Sequence, residues 1–229
     1  MMKRFTHGNR GVAAGTLLAA GLAIGSCGGP GANVGPPAVA SPDAHLPPGY
    51  ALRLDRPNRD DTEFVATSRD DGLEVQTGPA GIVYRPDQVV DAEQYAVHAR
   101  LTEINAPVGH LEGFGLFIGG QDLQGAGQRY IYFLIRGDGR YLIKRRDGAN
   151  TPEISNGWQP SKAVRFATHQ DGDMTNELAI AVDRGRLRFS CNGEQVADMP
   201  VGDLSVRGVA GVRVNHNLVV RIQDFRVER

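Results

Sequence analysis

The sequence predicts an all-β protein built as an antiparallel β-sandwich. Apolar and polar residues alternate with a period of two in several short runs. No run with a period of 3.6 lasts three helical turns, and turn-forming residues recur between the alternating runs. Thirty glycines among 229 residues fit the same picture, because glycine weakens helices and serves turns.

The chain opens with a different kind of segment. Residues 1–27 read as an export leader. Lys3, Arg4 and Arg10 form a basic start, and an uncharged apolar stretch runs from Gly11 to Gly25. That stretch is shorter than the roughly 20 residues a spanning helix needs. It ends in Ile24-Gly25-Ser26-Cys27, which resembles the bacterial lipobox. The resemblance implies that small residues admit the signal peptidase and that the Cys27 thiol takes a diacylglycerol. A lipidated Cys27 could not pair with Cys191, the other cysteine. An ordinary cleaved signal and an uncleaved anchor are the alternatives. Residues 28–49 are rich in Pro and Gly and have no apolar period, so they read as a tether. Gly28, rather than Asp, follows the cysteine, which resembles an outer-membrane address in two-membrane bacteria. The expected location is the cell envelope, lipid-anchored to a membrane and facing outward or into a periplasm.

Residues 50–229 form the expected sandwich domain. A single helical turn is allowed near Pro86–Ala92. In Tyr95–Leu101 the odd positions are apolar and the even ones include His98 and Arg100. Residues 129–136 and 140–146 are two strands separated by Gly137-Asp138-Gly139. The runs 178–182 and 186–190 are separated by Asp183-Arg184-Gly185. Asn192-Gly193 suits a tight hairpin, because both residues tolerate positive φ. Val212, Val214, Leu218, Val220 and Ile222 continue the alternation.

Within this domain Gly113–Gly120, Arg129–Gly148, Asn176–Val196 and Val209–Glu228 resemble, in order, the concanavalin A-like lectin/glucanase jelly roll. They are most similar to its laminin G-like and 3-keto-disaccharide hydrolase-like members. The resemblance implies a jelly-roll β-sandwich and leaves function open, since this fold hosts binders and enzymes alike.

Charge narrows the partners. Lys3, Arg4 and Arg10 account for three of the 25 basic residues, leaving 22 against 26 acids, a net of −4 beyond the leader. Such a balance gives no general attraction to nucleic acid. No catalytic set is visible. Glycosidases of this fold resemble one another in a Glu-x-Asp-x-x-Glu strand, which this chain lacks. Glu103, Glu112 and Glu153 are isolated, and Asp60-Asp61 and Asp70-Asp71 sit in expected turns. His7, His45, His98, His110, His169 and His216 are dispersed, without metal-ligand spacing. Asp122, Asp171 and Asp173 could offer Ca²⁺ only two or three of the six to eight oxygens it takes, so a polar loop is the plainer reading and no cofactor is expected. Cys191 follows Leu187 and Phe189 on one face of its strand and reads as a buried, inert thiol.

A binding face remains. Between Tyr130 and Arg136, the residues Ile131, Phe133 and Ile135 share one side of the strand. Tyr130, Tyr132 and Arg136 share the other, beside Lys144, and the expected polar face extends to His98 and Arg100. Trp158 falls in a loop expected at the rim. Aromatic rings beside hydrogen-bond donors suit sugars; the alternative is that they only cover surface. The resulting expectation is a non-catalytic envelope lipoprotein that binds carbohydrate. A glycoside-cleaving enzyme of the 3-keto-disaccharide hydrolase type is one alternative, and a structural or assembly lipoprotein that binds another envelope protein is the other.

Overall fold

The computed structural model describes residues 46–56, 63–106, 108–167 and 172–229. The leader with Cys27, the tether up to His45, Asp60-Asp61, His169 and Asp171 lie outside the described residues.

Among the described residues, fourteen strands form two seven-stranded sheets in which the neighbours pair antiparallel, and there is no helix. The first sheet runs in the order β1 (Ala51–Leu54), β4 (Gly81–Val90), β13 (Gly208–Val214), β6 (Gly113–Gln121), β7 (Arg129–Arg136), β8 (Arg140–Asp147) and β9 (Gln159–Pro160). The second runs in the order β12 (Glu194–Pro200), β11 (Arg186–Cys191), β10 (Gly172–Asp183), β5 (Tyr95–Ala106), β14 (Val219–Glu228), β3 (Gly72–Gln76) and β2 (Val65–Arg69). The chain crosses repeatedly between the sheets, as in a sandwich.

Alternation explains the core. Val97, Ala99 and Leu101 of β5, with Leu178, Ile180 and Val182 of β10, meet Phe114 and Leu116 of β6 and Ile131, Phe133 and Ile135 of β7 between the sheets. The Phe133 and Phe189 rings meet edge-on at 5.5 Å. Cys191 is fully buried in this core beside Asn176 and Asn192, and burial pushes its thiol up to about 12. Ahead of β1, Leu46 also packs on the core, so ordered contacts begin before Tyr50.

The predicted turns are where the strands reverse. Asn192 and Gly193 take φ of 50° and 83° between β11 and β12, and Arg184 and Gly185 take 49° and 73° between β10 and β11. Asp70-Asp71 joins β2 to β3. The expected helical turn near Pro86–Ala92 is instead strand. β4 runs on to Val90, and Pro86 lies where the pairing with β1 has ended at Tyr84 and the β13 register has shifted. No ladder hydrogen bond needs a Pro86 N–H there.

Candidate functional site

The outward face of the first sheet is built by the same alternation that builds the core. Register places Tyr132 between Phe117 and Lys144, Leu134 between Gly115 and Leu142, and Arg136 between Gly113 and Arg140. Across β13 and β4, Arg213 lies opposite Gly115 and Ile82, and Gly211 opposite Phe117 and Tyr84. Ile82, Tyr84, Phe117, Tyr130, Tyr132, Leu134 and Leu142 thereby form a second apolar cluster, separate from the inter-sheet core.

Polar groups converge on this cluster. Arg213 holds Asp55 through two hydrogen bonds of 2.8 and 2.5 Å and donates to the Tyr130 hydroxyl at 3.1 Å. Its guanidinium also lies 4.9 Å from the centre of the Tyr132 ring, a cation–π contact. Arg146, opposite Tyr130 on β8, reaches the Asp55 carbonyl oxygen at 3.5 Å. Burial opposes ionisation of Asp55, but the hydrogen bonds and charge of Arg213, with Arg146 and His216, outweigh it and hold the carboxyl below its usual range. Burial pushes the Tyr132 phenol up to about 12 and raises that of Tyr130, so both are neutral at physiological pH. At the β1 side, Gln124 donates to the Tyr84 hydroxyl at 2.7 Å and accepts from Arg53 through its carbonyl oxygen at 3.1 Å.

The rim lies at the β8–β9 side. Trp158 stacks under the Arg136 guanidinium at 4.4 Å. Gly113 makes room for it: a Cβ there would lie 2.7 Å from the indole ring. Asp138 takes both hydrogen bonds of Arg136, at 2.8 and 2.9 Å, and Arg140 donates to the Trp158 carbonyl oxygen at 3.2 Å. Ser155 fixes the approaching loop by accepting from Ile143 N–H at 2.9 Å and donating to the Gly157 carbonyl oxygen. Lys144 faces Glu153 at 3.8 Å.

Five of the seven residues singled out from sequence therefore share one face: Tyr130, Tyr132, Arg136, Lys144 and Trp158. Two corrections follow. Tyr130 and Tyr132 point away from the core as expected, yet they are 2% and 3% exposed, because side chains of the second cluster and the Arg213 guanidinium pack around them. His98 and Arg100 do not extend this face. They belong to β5, whose Val97, Ala99 and Leu101 point inward, so they project from the outer side of the other sheet. There His98 meets Glu228 at 3.5 Å, and Arg100 meets Glu177 and Asp224, each at 3.1 Å.

Sequence reasoning missed Asp55, Arg146 and Arg213. Arg213 carried a signal, since a charged residue between Val212 and Val214 must point to the opposite side from the core. Asp55, just past the end of β1, carried none.

Of the acids considered for calcium, Asp122 and Asp173 are described, and each accepts a backbone hydrogen bond. Asp122 accepts from Gly127 N–H at 3.0 Å and Asp173 from Asn105 N–H at 3.1 Å. Among the described residues, no three His, Cys, Asp or Glu side chains gather as metal ligands do.

By sequence, the chain matches no family model and no curated protein. By structure it is similar to several β-sandwich domains. The carbohydrate-binding module CBM66 from Bacillus subtilis has a TM-score of 0.55 at 8% identity, over 78% of this chain and 95% of that one. The carbohydrate recognition domain of Emp46p, in its potassium-bound form, has a TM-score of 0.54 at 9% identity, over 79% and 88%. A xylan β-1,4-xylosidase from Bacillus halodurans C-125 has a TM-score of 0.50 at 17% identity, over 82% of this chain but 38% of the enzyme. At these identities the likeness concerns the fold.

Proposed function

We propose that this protein is a non-catalytic, carbohydrate-binding lipoprotein of the cell envelope, held to a membrane through Cys27 and facing outward or into a periplasm. The observation that carries the binding half is the outward face of the first sheet. A half-buried indole stacked on a guanidinium stands at its rim, beside Arg140 and Asp138 and above an aromatic floor, with Lys144 further along the same face. An aromatic plane with fixed donors around it is what a pyranose needs, since its C–H face stacks while its hydroxyls bond. Similar folds whose names describe carbohydrate recognition support the reading. The anchoring half rests on the leader and lipobox.

A glycan array probed with the protein lacking its leader, beside Trp158→Ala, tests binding. Retention of a defined glycan set by the wild type and at least tenfold weaker retention by the variant is expected, about 1.4 kcal/mol. Absence of any glycan signal would sink the reading, and turnover of a bound oligosaccharide would replace binding with catalysis. Anchoring is tested in cells: Cys27→Ser should move the protein from the membrane to the soluble fraction, or stall its processing. A variant that stays on the membrane, with no labelled fatty acid on the wild type, would overturn the lipid anchor.

A further inference from the structure

Each sheet has one break in its pairing, and the two breaks meet at a cleft. On β4, Arg85–Gln88 stand against the single residue Ala210, because Tyr84 pairs with Gly211 and Val89 with Val209. On β14, Asp224 and Phe225 stand against Ala99 alone, and Asp224 takes a φ of 52°. Bulges of this kind bend a strand, re-aim its side chains and recur beside binding sites. Here they border a cleft of about 450 Å³ between the sheets. That volume falls within the range of roughly 300–1,000 Å³ common to small-ligand pockets.

The floor of the cleft is apolar. Leu73, Val83, Val212 and Ile222 line it, and all four belong to the inter-sheet core. Tyr50 and Phe225 also line it, half-buried and packed on that core. The remaining lining is polar. Arg85 lies 5.8 Å from the centre of the Tyr50 ring and is faced by Asp87 at 3.5 Å. Asp224 turns to Arg100 on the outer side of the second sheet. Asp70 and Asp71 come from the β2–β3 turn, which Gly72 lets sit against β14; a Cβ there would clash with the Ile222 carbonyl oxygen. Asp71 accepts from the neutral Gln223 amide, and the adjacent cation, Arg69, is held by Glu74 at 2.5 Å. Asp70 and Asp71 are thus exposed carboxylates without a cation of their own among the described residues.

We propose that this cleft is a second binding site, separate from the sugar-binding face, and that it takes a small organic cation with an apolar body. The body would replace water against Leu73 and Ile222. The ammonium would meet the carboxylates of Asp70 and Asp71, and the Phe225 ring would add a cation–π contact. A sugar would leave hydroxyls unpaired against the apolar floor, and an anion would approach two like charges.

The test uses isotope-labelled protein lacking its leader, followed by amide chemical shifts. Three probes share one ring and differ in charge: 2-phenylethylammonium, 2-phenylethanol and 3-phenylpropionate. The ammonium should bind about tenfold or more tightly than the alcohol and weaken as salt rises, and the carboxylate should not bind. Shifts should centre on Leu73, Val83, Ile222 and Phe225. Asp70→Asn/Asp71→Asn changes only exposed side chains, so it should fold; it should lose the preference for the ammonium and keep the affinity for the alcohol. Ala210→Leu should fill the cleft and abolish binding of both; if it melts early, the Asn variant decides alone. Equal binding of ammonium and alcohol by the wild type would overturn the inference, as would a preference that survives in the Asn variant or shifts that lie elsewhere. Methylammonium competing as well as the phenyl probe would reduce the cleft to a general cation site and also overturn it. The Asn variant should keep the wild-type glycan pattern on the array; loss of that pattern would merge the two sites and overturn their separation.

Discussion

Tyr132 and Phe133 are neighbours on one strand and belong to different interiors. Phe133 meets Phe189 at 5.5 Å and Tyr141 at 6.1 Å between the sheets, whereas Tyr132 lies in the outward cluster beneath Arg213. Both are closed to solvent, so both carry stability. Phe133→Ala should cost about 3–5 kcal/mol through a core cavity. Tyr132→Ala should also destabilise, by roughly 2–4 kcal/mol, because it strips the guanidinium of its aromatic support and opens the second cluster. Tyr132→Phe, which keeps the ring, should stay within about 1 kcal/mol of the wild type. Urea unfolding of the three variants checks the order; a harmless Tyr132→Ala would mean that the outward cluster is not packed. The Arg213–Asp55 pair makes a second test at this scale. Since the native Asp55 pKa is depressed, its contribution is present above its ordinary value of 3.8 and is lost as pH falls through the lower native one. Asp55→Asn should flatten the acid limb of stability below about pH 4, and an unchanged limb would show that the pair contributes nothing to acid resistance.

At the level of strands and hairpins, local pattern was legible where local physics decides. The Asn192-Gly193 reversal was readable because few residues accept positive φ, and the structure puts Gly193 at 83°. A Cβ at Gly193 would meet nothing within 4 Å, so Gly193→Val tests backbone conformation alone. It should cost about 1–2 kcal/mol, while Gly193→Asn should cost well under half of that, because Asn tolerates the left-handed region. Thermal melts of the two variants decide it, and equal losses would point to a contact rather than to φ. The alternation in Tyr95–Leu101 and Tyr130–Arg136 correctly separated inward from outward side chains. It could not say which outward sides coincide. That depends on which sheet each strand joins, and β5 pairs with β10 and β14 while β7 pairs with β6 and β8, so His98 and Arg100 ended opposite the tyrosines. Period also could not reveal a strand with covered residues on both sides, as β7 is, because full coverage of the second side comes from distant segments such as Asp55 and Trp158. Pro86 misled for a related reason: a proline is excluded only from paired strand positions, and pairing is a property of neighbours that the local sequence does not name.

On the scale of the whole domain, two carboxyls with opposite environments set where stability lies on the pH axis. Asp55 favours the folded state only when ionised. Glu103 does the reverse. It sits on β5 opposite Met174 and Val220, is 2% exposed, and burial pushes its carboxyl from 4.5 up to about 7. In the unfolded chain that group loses its proton near 4.5, so the folded state carries no penalty from it below that value. As pH rises from about 4.5 to about 7 the unfolded chain gains a solvated charge that the folded one resists. Stability then declines and levels off above about 7, by a total on the order of 3 kcal/mol. Taken with Asp55, the pair favours a stability maximum near pH 4–5, between the acid loss and the neutral one. Glu103→Gln keeps the side-chain volume and removes the proton equilibrium. The variant should match the wild type near pH 4 and exceed it in urea unfolding free energy at pH 8, with its stability flat between pH 5 and 7. A wild type as stable at pH 8 as at pH 5, with the Gln variant no better, would mean that the buried carboxylate has found compensation that its surroundings on β5 do not provide.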